Sequence, residues 1–114
     1  MTGRFAKMKL GICIYSNDPE SVWNAFRFGN YAAKNSSDEV QVFLLGKGVE
    51  AESLSADKFN VTEQMELLVA GGGKIMACGT CLKMRQSEGS EICPLSTMKE
   101  LYQMVAECDK VLTF

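Results

Sequence analysis

The residues best able to do chemistry are Cys78 and Cys81, in the stretch Ala77-Cys78-Gly79-Thr80-Cys81-Leu82-Lys83-Met84-Arg85. The apolar run Lys74-Ile75-Met76 precedes it, so the segment reads as a buried strand that ends on Cys78 and turns directly into a short basic helix. In an open α/β sheet, ligands and reactive groups gather beyond the carboxyl ends of the strands. A thiol at such a strand end faces the unpaired N–H groups of the helix start. Those dipoles, with Lys83 and Arg85 close in sequence, favour a thiolate. The chain has no histidine, which excludes Ser-His and Cys-His catalysis and leaves any zinc site to thiolates and carboxylates.

Other arrangements of the five cysteines are weaker. Cys78-x-x-Cys81 is also the spacing of a dithiol redox pair. Such pairs normally follow an early strand and face a later cis-proline, whereas here the only later proline is Pro94. Structural zinc sites use two close Cys-x-x-Cys pairs, and a second pair is missing, so no metal is implied. Cys13 lies inside an apolar strand and Cys108 on the apolar side of a helix, where small buried thiols are common. Packing is the plain alternative for Cys81, and the depth of Cys93 stays open.

Two glycine motifs invite a nucleotide reading and fail it. Gly46-x-Gly48-x-x-Ala51 follows a strand, but Glu50 and Glu52 stand where a pyrophosphate would bind and no clear amphipathic helix follows. Gly71-Gly72-Gly73-Lys74 precedes a strand rather than a helix and lacks the Ser or Thr of a phosphate loop. No cofactor is implied. A net charge of −2 with interspersed signs argues against a direct nucleic-acid binder. No apolar run approaches the roughly 18 residues of a membrane span, and the first residues are too polar for a signal sequence. The expected setting is therefore the cytoplasm, where cysteines are usually free, catalytic or metal-bound.

The elements that position the cysteines follow from periodicity. Met8–Tyr15 is apolar on both parities, the mark of a strand covered on both faces. Ser16-Asn17-Asp18-Pro19 turns the chain and caps a helix to about Lys34, whose apolar set of Val22, Trp23, Phe26, Phe28 and Tyr31 is wider than one core stripe. That surplus suggests a partner, including another copy of the chain. Val40–Leu45 is a second strand, followed by a polar connection. Asn60 or Thr62 caps a helix carrying Met65, Leu68 and Val69, which Gly71-Gly72-Gly73 ends. After the Lys74–Cys78 strand and the basic helix, Glu91–Pro94 reads as a brief fourth strand. Ser96 or Thr97 caps a last helix with Met98, Leu101, Val105 and Cys108 on one face, and Lys110–Phe114 reads as a final buried strand. The alternation β-α-β-α-β-α-β-α-β predicts one α/β domain over 1–114, a three-layer α/β/α sandwich with a mainly parallel sheet of about five strands.

The cysteine run Ala77–Arg85 resembles the active loop of the DsrE/DsrF-like sulfur-relay family. The strand Lys9–Tyr15 with Ser16-Asn17-Asp18-Pro19-Glu20, the segment Phe43–Val49, the helix start Ser96–Leu101 and the end Asp109–Phe114 agree with it. The resemblance implies a layered α/β/α domain that assembles into trimers or multiples of them, with itself or with paralogous subunits. It also implies a cysteine at the end of the third strand that takes up sulfane sulfur as a persulfide and passes it to a partner protein. Cys78 holds that position. Cys81 is an addition with no implied role; as a resolving thiol it would expel sulfide and close a disulfide. A persulfide carrier needs an accessible thiolate, positive charge nearby and no general base.

The expected site is therefore Cys78 and Cys81, surrounded by Ser16, Asn17, Gly46, Gly48, Gly79, Thr80, Lys83 and Arg85, with sulfur donor and acceptor proteins as partners. Two further readings stay open. One is an oligomeric binding module whose small ligand or protein partner sits at the same sheet edge. The other is a Cys78/Cys81 dithiol redox protein.

Overall fold

Neighbouring residues of the first strand point to opposite sides of the sheet, and each side is met by different helices. In β1 (Lys9–Ile14), Ile12 packs toward Gly29 of α1 (Pro19–Asn35), while Gly11 lies against Met104 and Cys108. The computed structural model describes residues 7–114. The remaining elements are β2 (Glu39–Leu44), a 3-10 helix (Gly46–Ser53), α2 (Val61–Ala70), β3 (Lys74–Cys78), α3 (Gly79–Met84), β4 (Leu95–Ser96), α4 (Met98–Glu107) and β5 (Lys110–Thr113). The strands form one sheet in the order β4-β3-β2-β1-β5, and every pairing is parallel. Helices cover both faces, with α1 and α2 together on one and α4 on the other. The fold is thus the expected layered α/β sandwich.

Local chemistry sets the helix starts. Asp18 accepts the Ser21 N–H at 2.9 Å and Pro19 opens α1. Asn60, rather than Thr62, caps α2 by accepting from Glu63 N–H at 3.0 Å. Thr97, rather than Ser96, caps α4 in a reciprocal pair with Glu100. Phe26, Phe43, Ile12, Ile14 and Leu68 are fully buried between the layers. Each such side chain contributes roughly 1.5–3 kcal/mol when withdrawn from water.

Three expectations need correction. The fourth strand is Leu95–Ser96, not Glu91–Pro94. Proline has no N–H for a ladder; only the Pro94 carbonyl joins the sheet edge, accepting Ala77 N–H at 3.1 Å. Ser90 and Cys93 bond to one another and fold the preceding residues into a turn. The final strand is not buried, because β5 is an edge strand and leaves Leu112 and Phe114 exposed. In α4 the buried residue is Met104, with Leu101 and Cys108 partly covered and Met98, Tyr102 and Val105 exposed. Gly11 is the cause. A Cβ there would stand 3.2 Å from both Cys108 Sγ and Met104 Cγ, so the bare backbone admits those two side chains and rotates the helix onto them.

The surplus of α1 is divided. Val22 and Phe26 are core, Trp23 stacks edge-on to Phe59 at 5.2 Å under Arg27 at 4.4 Å, and Phe28 and Tyr31 face outward. No described helix is long and apolar enough to cross a membrane.

Candidate active site

Strand β3 is buried from Ile75 to Cys78, and Cys78 serves as the N-cap residue of α3. Its sulfur makes no capping hydrogen bond to the helix. Cys81 follows at the third helical position, half-buried, where its Sγ accepts the Gly46 N–H at 3.3 Å. Gly46 opens the 3-10 helix two residues after β2 with φ +57°, a left-handed conformation that costs other residues roughly 1–2 kcal/mol. That turn aims its N–H at the sulfur. The ends of β2 and β3 thereby meet at the cysteine pair.

The end of β1 is joined to them through Glu50, on the 3-10 helix. Asn17 Nδ2 donates to Glu50 Oε1 at 3.2 Å, and Arg85 Nε donates to Glu50 Oε2 at 2.8 Å. Arg85 Nη1 reaches back to the Cys81 carbonyl at 3.1 Å. The Arg85 guanidinium, then the Asn17 amide, hold the Glu50 carboxyl below its ordinary range. In the sequence Glu50 stands out only as an obstacle to phosphate. Here it is the hub that ties Asn17 to Arg85.

The expected site residues separate into two groups. Asn17, Gly46, Cys78, Cys81 and Arg85 come together. Ser16 does not join them; its Oγ accepts the Asp18 N–H at 2.9 Å and shapes the turn. Gly48 and Gly79 serve packing. A Cβ on Gly48 would lie 2.0 Å from the Ile14 carbonyl oxygen, and one on Gly79 would lie 2.8 Å from Leu95 Cδ2. Thr80 and Lys83 are exposed, with no side-chain hydrogen bond among the described residues. The expectation of an accessible Cys78 is not met, since the residue is only 3% exposed. The expectation that Arg85 supplies free positive charge also changes, because Glu50 takes its guanidinium.

Burial raises the thiols of Cys13, Cys81, Cys93 and Cys108 above their ordinary value. For Cys81, a hydrogen bond toward Cys78 adds to burial, and the Gly46 N–H opposes both. Cys93 is pushed up to about 12, by burial and then by the Glu52 carboxylate. It lines a cavity of about 210 Å³ with Val49, Ala77, Leu82, Arg85 and Glu50. Among the described residues no group of three or more cysteine or acidic side chains is placed to hold a metal ion.

Several known proteins are similar to this chain in sequence or in fold. An uncharacterized protein of Methanopyrus kandleri, MK0008, is 32% identical over 101 residues, 83% of each chain. The crystal structure of the YchN protein from E. coli superposes with a TM-score of 0.81 at 25% identity, covering 94% of this chain and 100% of that one. A conserved protein of unknown function from Bacteroides thetaiotaomicron, BT1422, shares the fold with a TM-score of 0.73 at 18% identity, over 93% of this chain and 94% of its own. The model of the DsrE/DsrF-like family matches residues 8–114, and the chain belongs to that family.

Proposed function

We propose that the chain is a sulfur carrier that holds sulfane sulfur as a persulfide on Cys78 and passes it to a partner thiol. The observation that carries this reading is the convergence at Cys78. It ends β3, its sulfur is not spent on capping α3, and a second thiol on the same turn is held by the end of β2. Membership of a family associated with sulfur relay supports it.

In the transfer, docking of the donor uncovers Cys78, which is 3% exposed in the free chain; its thiolate attacks the outer sulfur of the donor persulfide and the donor leaves as a thiolate. An acceptor thiolate then takes the outer sulfur and releases Cys78. Both steps exchange one S–S bond for another, so no general base, metal or cofactor is required. The partners in this reading are donor and acceptor proteins in the cytoplasm, where five free cysteines are at home. The carrier works as a homo-oligomer, a trimer or a hexamer, or with paralogous subunits. Two exposed apolar patches support assembly: Phe28, Tyr31, Leu112 and Phe114 on one side, and Met98, Tyr102 and Val105 on the other.

The test uses a cysteine desulfurase that already carries its persulfide and has been freed of cysteine, with inorganic polysulfide as a second donor. Peptide mass spectrometry of wild type, Cys78→Ser and Cys81→Ser reads the sulfur. One added sulfur on the Cys78 peptide of the Cys81→Ser protein, absent from Cys78→Ser, is the expected result. No added sulfur from either donor sinks the carrier.

A second reading has its own observation. The cavity of about 210 Å³ is lined by the apolar Val49, Ala77 and Leu82 together with the charged Glu50 and Arg85. With Cys78 buried, it favours a binding module for a small ligand, in which the cysteines only pack. Retention of ligand-binding by Cys78→Ser together with failure to load sulfur is the signature of that module.

A further inference from the structure

We propose that the cysteine pair has a second activity: Cys81 discharges the Cys78 persulfide as hydrosulfide and closes a Cys78–Cys81 disulfide. The inference rests on the carrier reading and extends it to what happens when no acceptor arrives.

Geometry singles out Cys81. The N-cap residue and the third helical residue face one another across the first turn, as the two partners of a capping box do. Cys78 and Cys81 hold those two positions in α3. The Cys78 sulfur is not engaged with the helix N–H groups, so it is available to its neighbour. The Cys81 sulfur is fixed from the β2 side by the Gly46 N–H at 3.3 Å. The other cysteines have other surroundings. Cys108 packs on Gly11, Cys13 is inside β1, and Cys93 lines the cavity wall beyond Ala77.

The step balances without an added oxidant. The Cys81 sulfur bonds to the inner sulfur, Cys78 Sγ, and the bond from Cys78 Sγ to the outer sulfur breaks. The outer sulfur leaves with the bonding electron pair and takes the Cys81 thiol proton, so a persulfide anion and a thiol become a disulfide and HS⁻. The sulfane sulfur is reduced to sulfide, and the two cysteine sulfurs are left oxidised. The attacking species is the Cys81 thiolate, formed as its proton passes to the outer sulfur of the persulfide, and that proton leaves with the HS⁻. An external dithiol reductant then reopens the pair by two thiol–disulfide exchanges and readies it for another persulfide. Without such a reductant the discharge is a single turnover.

The difference in exposure gives the step a place in the cycle. Cys78 is buried while Cys81 is half-buried. A loaded persulfide therefore has Cys81 beside it before any acceptor docks. The pair behaves as a carrier when an acceptor competes with Cys81, and as a persulfide reductase when none does.

The experiment follows sulfide with a selective probe and maps disulfides by non-reducing peptide mass spectrometry. Wild type, Cys81→Ser and Cys81→Ala are each loaded from persulfidated desulfurase, and again from polysulfide, with no free thiol present. Wild type is expected to yield one sulfide per loaded chain and a Cys78–Cys81 disulfide. Both variants are expected to keep the added sulfur on Cys78 and to release sulfide at least about tenfold more slowly, since the intramolecular attacker is gone. If wild type keeps its persulfide as long as the variants do, the discharge is overturned and the carrier stands. If the variants take up no sulfur at Cys78 from either donor, the carrier falls and the discharge with it.

Discussion

Replacing Cys93 by Ala should remove a large part of the alkaline sensitivity of the fold. Cys93 is 3% exposed and its thiol is pushed up to about 12, from 9.0 for a free thiol. The sign follows from linkage. The folded-state pKa is raised, so the stabilising contribution is complete below pH 9 and is lost as pH rises toward 12, because the unfolded chain sheds the proton first. At pH 10.5 the unfolded thiol is 1.5 units past its pKa while the folded one is still protonated, which costs about 2 kcal/mol at 1.36 kcal/mol per unit. The full span to pH 12 is worth about 4 kcal/mol. Cys93→Ala has a cost of its own, about 1 kcal/mol for a small buried group, but that cost does not depend on pH. Urea unfolding of both proteins at pH 8 and pH 10.5 separates the two effects. The difference between wild type and variant should shrink or reverse by about 2 kcal/mol over that interval. Parallel losses, within about 0.5 kcal/mol, would show that the thiol is hydrated in the native state and that the burial argument fails. The same shift predicts that Cys93 is not alkylated in the folded protein near neutral pH.

Gly48→Ala should destabilise far more than Gly46→Ala. The first drives a methyl to 2.0 Å from the Ile14 carbonyl oxygen and forces the 3-10 helix off β1, at about 3 kcal/mol or more, whereas the second meets nothing and costs about 1 kcal/mol for its φ of +57°. Thermal melts of the two variants check the order, and equal melting temperatures would refute it. For assembly, Tyr31 and Tyr102 are 64% and 75% exposed in two separate apolar patches. Sedimentation should find wild type larger than a monomer and Tyr31→Lys or Tyr102→Lys shifted toward it; a monomeric wild type would remove the assigned use of both patches.

The parts of the fold that were legible in the sequence are those whose causes are local. β1 announces itself by apolar residues on both parities, and the caps at Asp18-Pro19, Asn60 and Thr97-x-x-Glu100 lie within one turn of the helices they start. β4 was misplaced because a two-residue strand has no period, and its position is set by a contact from Ala77 to the Pro94 carbonyl. The orientation of α4 was misjudged for a similar reason. The residue that decides it is Gly11, more than 90 positions away in the chain. Periodicity finds an amphipathic helix, but it cannot say which half of a broad apolar face will meet a strand that lacks a side chain.

The site divides along the same line. Cys78 and Cys81 are three residues apart, and a strand running into a helix was enough to find them. Glu50 lies 33 positions from Asn17 and 35 from Arg85, so only the parallel order of β1, β2 and β3 brings the three together. The sequence carries a signal for it: a carboxylate just after the glycines that follow β2, in a chain whose cysteine loop carries an arginine. Periodicity does not reveal it, because the segment has no regular apolar repeat. The consequence reaches the chemistry. Arg85 is shared between the Glu50 carboxylate and the Cys81 carbonyl, so its positive charge reaches the cysteine pair already partly neutralised. In the proposed carrier, sulfur chemistry at this edge draws on what the backbone supplies, above all the Gly46 N–H and the turn of α3 that carries the second thiol. That dependence is why the second cysteine, and not the surrounding charge, is the residue whose removal discriminates between a chain that stores sulfur and one that reduces it.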